Sequence, residues 1–195
     1  MARPREFDLE AALTGAMRLF WSRGYEESSL SNLLAAMKIT KGSFYKAFSD
    51  KRAVYLQALD YYEDQVVKVT VKGLMDRSRG PGDARIIGLF KMIASSAHQD
   101  GDRMGCFLCN ALIDRAVQDA EVEEKLQAMV FRLENGFRAA LDSIPGHPGP
   151  DWVHETARGV LSLYFGLRVL GKAGLSDAMA EDCVKQVTRL IAIPS

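Results

Sequence analysis

The segment Ser29–Lys51, SLSNLLAAMKITKGSFYKAFSDK, decides the fold of this chain. Its apolar residues recur at helical spacing in two short blocks, which predicts one helix over Leu30–Met37 and another over Lys41–Phe48. Ser29 and Thr40 precede these blocks, and both are residue types that cap helix N-termini. The segment is therefore predicted to be a helix-turn-helix.

Helical periodicity continues through the rest of the chain, and no sustained alternation of apolar and polar residues predicts a strand. The segments RSRGPGD (77–83) and PGHPGP (145–150) are rich in glycine and proline and predict two breaks between helices. We therefore expect an all-α protein of nine helices. A three-helix head over residues 1–53 would be followed by a helical body over residues 54–195.

The composition is typical of a globular protein, with 48% hydrophobic and 26% charged residues. No apolar run is long enough for a membrane span, and the N-terminus lacks the apolar segment of a secretory signal. We therefore expect a cytoplasmic protein with no membrane partner. Residues 1–53 hold nine Lys and Arg against six Asp and Glu, whereas the whole chain holds 25 of each. A basic head on an acidic body suits a protein that touches phosphates with one end.

The outer face of the predicted helix Lys41–Phe48 is polar. Its side chains can donate hydrogen bonds to phosphates and to base edges, which favours a helix that reads DNA. Gly42 costs about 1 kcal/mol in a helix relative to alanine, and a close approach of DNA to the backbone would explain it. The alternative is a helical corner with a solvated polar face, because such patterns are common. The polar residues are Lys41, Ser43, Tyr45 and Lys46.

Further candidate DNA contacts flank this helix. Ser29 and Thr40 stand at predicted helix N-termini, where a hydroxyl and free N–H groups can hold a phosphate. Lys51 starts the next helix and could bind a phosphate beyond the groove. Arg3 and Arg5 form a basic arm of the kind that reaches into a minor groove. The candidate DNA-binding residues are Arg3, Arg5, Ser29, Thr40, Lys41, Gly42, Ser43, Tyr45, Lys46 and Lys51.

The stretch 24–59, GYEESSLSNLLAAMKITKGSFYKAFSDKRAVYLQAL, resembles the signature of the TetR/AcrR family of bacterial one-component transcriptional regulators. The family pattern places a glycine and an aromatic residue after the first helix, here Gly24–Tyr25. It places a serine or threonine at the start of the second helix, here Ser28–Ser29. Its recognition helix reads Lys-Gly-Ser/Thr-x-Tyr-x-x-Phe, which Lys41–Phe48 matches, and a lysine follows at Lys51. The chain departs from the pattern in one place, where asparagine replaces a common acidic residue.

The resemblance implies a function as well as a fold. It implies a regulator that binds a palindromic operator on double-stranded DNA as a homodimer, most simply a repressor that a small-molecule or electrophile effector releases. Activation in place of repression stays open. By the resemblance, phosphate contacts would be Ser29, Thr40, Tyr45 and Lys51, and base contacts would be Lys41, Ser43 and Lys46. Effector binding would move the fourth helix, so that the two heads no longer fit successive major grooves.

The last two predicted helices favour dimerisation. The helix over Asp151–Lys172 is apolar around most of its circumference, and Gly159 and Gly166 would let another helix approach closely. The helix over Ser176–Ile193 adds further apolar residues, Met179 among them. The alternative is that both are ordinary core helices of a monomer.

The middle helices are expected to enclose an effector pocket that is mostly apolar, which points to a small apolar or electrophilic effector. Each of its candidate residues has an alternative as a plain core residue. The candidate ligand-binding residues are Tyr62, Phe90, Ile93, His98, Cys106, Cys109, Ile113, Met129, Leu133 and Phe165.

The three cysteines are expected to be free thiols. The segment GDRMGCFLCNALIDRA (101–116) resembles a subgroup of the same family in which the first cysteine responds to electrophiles or oxidants. Cys106 lies near a predicted helix N-terminus with Arg103 nearby, and both features lower a thiol pKa. Cys109 lies one helical turn further on, too poorly placed for an unstrained disulfide and without partners for a zinc site. Cys106 is either a sensor or a small buried core residue.

Two other classes of protein compete with a DNA-binding regulator. An enzyme is disfavoured because the three histidines are scattered and no nucleophile, phosphate-loop or metal-binding motif is present, so we expect no catalytic residue, metal or cofactor. A helical small-molecule-binding or interaction protein would leave the polar face of Lys41–Phe48 unexplained. It would also show no salt-dependent binding to DNA.

Overall fold

The computed structural model describes residues 7–99, 104–174 and 176–193, without the side chains of residues 96–99. Over these ranges the chain contains helices, turns and loops but no strand, which confirms the all-α prediction. In chain order the helices are α1 (Leu9–Arg23), α2 (Leu30–Met37), α3 (Lys41–Ala47), α4 (Lys51–Tyr62), α5 (Lys68–Met75), α6 (Gly82–Gln99), α7 (Phe107–Asp114), α8 (Ala120–Asp142), α9 (Pro150–Ala173) and α10 (Asp177–Leu190).

Helices α4 and α5 belong to one continuous rod. The five residues between them, Glu63–Val67, form a π-helical turn in place of a break. Because this turn keeps the chain helical from Lys51 to Met75, the ten α-helical segments make nine helices over the described ranges. Helical periodicity from Ser49 to about Met75 predicts one long helix, but it gives no signal for the π turn.

The three helices of the head begin where the sequence predicts. Thr40 caps α3 by accepting a hydrogen bond from the backbone N–H of Ser43 at 3.2 Å. Ser29 and Asn32 form a reciprocal capping box at the start of α2, in which the Asn32 side chain accepts from the backbone N–H of Ser29 at 3.2 Å. Asparagine at 32 thus does what an acidic residue does in such a box, so the departure from the family pattern is structurally neutral.

Helices α1 and α2 pack closely because one residue has no side chain. A Cβ atom at Gly15 would lie 2.1 Å from the carbonyl oxygen of Ala36, so no larger residue fits without moving a helix. The core below this contact is fully buried and contains Phe20, Leu33 and Phe44. The sequence pattern predicts this core but not the need for glycine at position 15.

The body is built around α8, which packs between α5 and α9. The start of α6 approaches α8 so closely that a Cβ atom at Gly82 would lie 1.9 Å from the carbonyl oxygen of Ala140. Arg85, which is buried, donates hydrogen bonds to the carbonyl oxygen of Leu74 and to the hydroxyl of Ser143. Within the described residues, no helix is long and apolar enough to cross a membrane.

Helical periodicity predicts one helix over Met104–Gln118, around the cysteine pair, and the structure differs from this prediction. Cys106 is the N-cap of α7, which is only eight residues long. Arg115 leaves the helical conformation, with φ −130° and ψ −25°, and a 3₁₀ turn over Ala116–Gln118 follows. The chain therefore bends sharply between α7 and α8, next to the head.

Candidate nucleic-acid interface and thiol site

Helix α3 divides into a buried face and a free face. Phe44 is fully buried and Phe48 lies within the same core, so these rings fix the helix against α1 and α2. Tyr45, the neighbour of Phe44, is 53% exposed and touches its ring only edge-on. The predicted reading residues Lys41 and Lys46 are exposed beside it. The head therefore presents polar side chains on a rigidly packed helix.

Glycine at position 42 has no explanation within the chain. Gly42 is exposed and does not adopt a positive φ, and a Cβ atom there would meet only the hydroxyl oxygen of Thr40, at 3.9 Å. An alanine would therefore fit the isolated protein and would favour the helix by about 1 kcal/mol. The packing of the described residues therefore gives no reason for glycine at position 42.

The other residues predicted to contact DNA differ in whether their polar groups already have partners within the chain. The hydroxyls of Ser29 and Thr40 are exposed, and both are engaged in capping α2 and α3. The ammonium group of Lys51 lies 4.3 Å from the ring centroid of Tyr25 and donates to the carbonyl oxygen of Glu26 at 3.4 Å. Arg3 and Arg5 lie outside the described residues.

The thiol of Cys106 is buried at the start of α7, with 1% of the residue exposed. Its sulfur lies 3.4 Å from the hydroxyl of Tyr62, which reaches it from α4. The ring of Tyr62 is held by edge-to-face contacts with Trp21 and Phe107, at 5.3 and 5.4 Å between centroids. The thiol is therefore in contact with the long helix that supports the head.

The side chains around Cys106 favour its ionised form. A hydrogen bond with Cys109, the charge of Arg168 and a hydrogen bond with Tyr62 together lower the pKa of the Cys106 thiol to about 5, against the opposing effect of burial. The same contact raises the pKa of Cys109, because the pair shares one negative charge. The sequence pattern predicts the thiol but points to Arg103 as its cation, and Arg103 lies outside the described residues. It does not predict Arg168, which α9 contributes.

The face of α7 that starts at Cys106 continues toward the head. Asn110, one turn on, donates from its amide to the backbone carbonyl oxygen of Trp21 at 3.1 Å. Asp114, a further turn on, accepts a hydrogen bond from the backbone N–H of Tyr25 at 2.7 Å. Because residues at i, i+4 and i+8 share one helix face, a single eight-residue helix connects the thiol to the end of α1.

Ion pairs hold the bend after α7 to the head. Arg52 donates to both carboxylate oxygens of Asp119, at 2.7 and 2.8 Å, and also pairs with Glu121. The guanidinium of Arg115 lies 4.5 Å from the ring centroid of Tyr25. The guanidinium also forms an ion pair with Glu26 at 3.3 Å, so a residue of the body holds the turn that follows α1.

The predicted pocket residues are mostly closely packed core. The prediction that Ile113 lines the pocket is wrong, because this residue is 79% exposed and cannot line an internal pocket of this chain. Asn110 and Asp114 turn the α7 face toward the head, which leaves Ile113 on the solvent side. The side chain of His98 lies outside the described residues, and Phe165 is half-buried. The buried members of the set are Tyr62, Phe90, Ile93, Cys106, Cys109, Met129 and Leu133.

Comparison with known proteins agrees with these features. Residues 12–58 match the family model described as bacterial regulatory proteins, tetR family. The HTH-type transcriptional repressor ComR of Escherichia coli K12 is 30% identical over 151 residues, which cover 74% of this chain and 71% of ComR. The HTH-type transcriptional repressor NemR of the same strain is 25% identical over 195 residues, 95% of this chain and 94% of NemR.

Solved structures extend the similarity to the whole fold. A cysteine mutant of the TetR family transcriptional regulator CifR, in complex with 26-bp double-strand operator DNA, superposes with a TM-score of 0.84 and 26% identity, over 99% of this chain and all of CifR. The reduced form of E. coli NemR superposes with a TM-score of 0.83 at 20% identity, over 95% and 97% of the two chains. The chain therefore belongs to the TetR family and is a DNA-binding transcriptional regulator rather than an enzyme.

Proposed function

We propose that this protein is a repressor that binds a palindromic operator as a homodimer and leaves it when Cys106 is modified. The observation that carries the first half is the free face of α3, where Lys41, Tyr45 and Lys46 are exposed beside a glycine that the chain itself does not require. A helix so placed in a helix-turn-helix enters the major groove of DNA. The relative CifR has been solved with operator DNA.

Within this proposal the residues of the head divide into two roles. Lys41, Ser43 and Lys46 approach base edges, and Gly42 allows the backbone of α3 to lie against the DNA. The capped N-termini behind Ser29 and Thr40 hold phosphates, with Tyr45 and Lys51 beside them. Arg3 and Arg5 reach the minor groove. The DNA-binding unit is residues 1–53, and the ligand-binding and dimerisation unit is residues 54–195.

The dimer forms through α9 and α10. Four apolar side chains of these two helices are exposed in the single chain and would be covered by a partner helix. The glycines of α9 differ: a Cβ atom at Gly159 would meet Leu190 of α10 at 3.0 Å, whereas one at Gly166 would meet nothing within 4 Å. Gly166 is therefore free for a partner helix. The exposed side chains are Val169, Leu170, Met179 and Leu190.

The dimer is tested by placing an arginine on this surface. Gly166→Arg should give a monomer in size-exclusion chromatography with light scattering, and operator affinity should fall roughly a hundredfold or more because bivalent binding is lost. Gly88→Arg is the matched control, since Gly88 also lies on a helix, in α6, and a Cβ atom there would likewise meet nothing within 4 Å. A dimeric Gly166→Arg variant would exclude this surface.

Operator binding is tested first by selecting bound duplexes from a random DNA pool. The wild-type protein should enrich a palindrome with two half-sites separated by about one helical turn, and its affinity should fall steeply with salt. Tyr45→Ala should fail to enrich it. If the wild-type protein enriches no sequence at low salt, operator binding is wrong for this chain.

The second half of the proposal rests on the Cys106 site. Cys106 occupies the N-cap position of α7, and the pKa of its thiol is lowered. The thiol contacts Tyr62 of α4, while α7 contacts the head through Asn110 and Asp114. Because Cys106 is only 1% exposed, a change in the state of its sulfur acts directly on these enclosing neighbours. Displacement of α4 and α7 would move the end of α1, and the spacing of the two heads would no longer match the operator.

Release is tested by titrating the operator complex with an electrophile. Affinity should fall in the wild-type protein and stay unchanged in Cys106→Ser. If both proteins respond alike, Cys106 is not the sensor. The remaining alternative is then a small apolar effector that binds without covalent reaction among the core residues around Phe90, Met129 and Leu133. The regulator would act in the cytoplasm, where the bacterial chromosome lies.

A further inference from the structure

A half-buried arginine, Arg168, lies next to Cys106. Among the described residues, no Asp or Glu forms an ion pair with Arg168, and its Nε atom is buried without a hydrogen-bond partner. An uncompensated charge in a protein interior is strongly unfavourable. Within the described part of the chain, compensation for the charge of Arg168 must therefore come from a group other than a carboxylate.

Three weak acids face the guanidinium. Burial alone would lower the pKa of Arg168, but Tyr164, Cys106 and Tyr62 raise it, so the side chain stays charged. The two phenols have pKa values raised by burial and remain neutral. The thiol is the acid whose pKa is lowered, so it is the group that ionises. Further groups around the site are Cys109 on α7 and Lys172 on α9, whose ammonium group lies 3.4 Å from the amide oxygen of Asn110.

We propose that Arg168 is the counterion of a Cys106 thiolate, and that loss of this negative charge, rather than the bulk of an adduct, drives release from the operator. The inference rests on the proposed sensing role of Cys106. Arg168 is a positioning residue, since it acts through the sulfur. Any reagent that turns the thiolate into a neutral thioether leaves the guanidinium buried and unpaired. The site then gains by opening to water, and the elements that close it are α4 and α7.

Iodoacetamide and iodoacetate separate charge from bulk. In each reaction the thiolate attacks the methylene carbon, a sulfur–carbon bond forms, the carbon–iodine bond breaks, and iodide leaves with the electron pair. No proton is released, because the sulfur is already ionised. The two adducts are nearly identical in size, but the acetamide adduct is neutral and the acetate adduct carries a carboxylate that can pair with Arg168.

The experiment compares operator affinity after full modification by each reagent, with mass spectrometry to show that Cys106 carries the adduct. The acetamide adduct should weaken operator binding about tenfold or more, and the acetate adduct much less. Cys106→Ser should respond to neither reagent. In Arg168→Met, a substitution by an unbranched apolar side chain, the two adducts should have equal effects.

The pH profile of alkylation tests the ion pair without DNA. The rate of the wild-type protein with iodoacetamide should stay on its plateau down to the thiol pKa of about 5. In Arg168→Met the midpoint should move upward, because burial then acts without the opposing charge. Arg168→Lys, which keeps a charge, should lie between them. A purely structural role for Arg168 would leave the midpoint unchanged.

The outcomes separate this inference from the proposed function. If both adducts release the operator equally in the wild-type protein, or if Arg168→Met leaves the alkylation midpoint in place, the charge account is wrong while thiol sensing stands. If Cys106 is modified and neither adduct affects operator binding, the sensing role of Cys106 fails and the inference fails with it.

Discussion

The outer face of α3 and the site around Cys106 are built in opposite ways. On α3, the side chains assigned to DNA are exposed, and Gly42 leaves open space above the backbone. At Cys106, every neighbour is inside the protein, and three helices contribute to the environment of one sulfur. Side chains that bind DNA must be exposed and free to form new contacts. The reactivity of a thiol, in contrast, depends on the groups that enclose it.

The largest expected effect is a difference in stability between substitutions on the buried and on the exposed face of α3. Phe44→Ala should lower the free energy of unfolding by about 3–5 kcal/mol, because a fully buried ring is removed. Tyr45→Ala should change that free energy by no more than about 0.5 kcal/mol, since the side chain is exposed. Its operator affinity should nevertheless fall roughly ten- to a hundredfold. Chemical denaturation and operator titration measure the two quantities.

Two results with these variants would contradict the prediction. If Tyr45→Ala binds the operator as tightly as the wild-type protein, the exposed side of α3 is not the reading face. If it unfolds as easily as Phe44→Ala, the division of the helix into two faces is wrong.

The same contrast explains what the sequence could predict. The helix-turn-helix lies in one continuous segment, so local periodicity, the caps Ser29 and Thr40 and the spacing of Phe44 and Phe48 suffice to place its faces. The need for glycine at position 15 depends on a backbone atom of another helix, at Ala36. Local pattern carries no signal for such a contact.

The thiol site could be predicted only in part. Its cysteine and the start of α7 follow from a local motif. Tyr62 and Arg168 lie far from Cys106 in the chain, and they reach it only because the fold brings α4 and α9 to the start of α7. The local sequence instead indicates the nearby Arg103 as the cation. Helical spacing places Ile113 in the pocket, whereas the short length of α7 and its contact with the head turn this residue to solvent.

A smaller effect is expected where the head leaves space for DNA. Gly42→Ala should stabilise the isolated protein by up to about 1 kcal/mol, because alanine favours the helix and meets no close neighbour. Operator affinity should fall at the same time, since a methyl group then separates the backbone from the DNA. Thermal denaturation with and without operator measures both. Equal or tighter binding by the variant would show that the DNA does not approach α3 at this point.

The smallest expected effect concerns the hydroxyl of Tyr62. Its hydrogen bond lowers the pKa of Cys106, so Tyr62→Phe should raise that pKa. The thiolate fraction then falls most near the midpoint, and alkylation at about pH 5 should slow a few-fold, with little change at neutral pH. The ring contacts with Trp21 and Phe107 are kept, which makes phenylalanine a conservative test. An unchanged alkylation rate across this pH range would show that the Tyr62 hydroxyl does not lower the pKa of Cys106.

In the proposed mechanism, the state of the buried Cys106 thiol reaches the DNA-binding head through α7. The direct measurement is the ratio of operator affinities before and after iodoacetamide treatment, in the wild-type protein and in Asp114→Ala, with Asp114→Asn as the control that keeps an acceptor for the Tyr25 N–H. We expect a ratio of about ten or more in the wild-type protein and in Asp114→Asn, and a ratio near one in Asp114→Ala. If the ratio in Asp114→Ala equals that of the wild-type protein, the contact of α7 with the head does not transmit the state of the thiol.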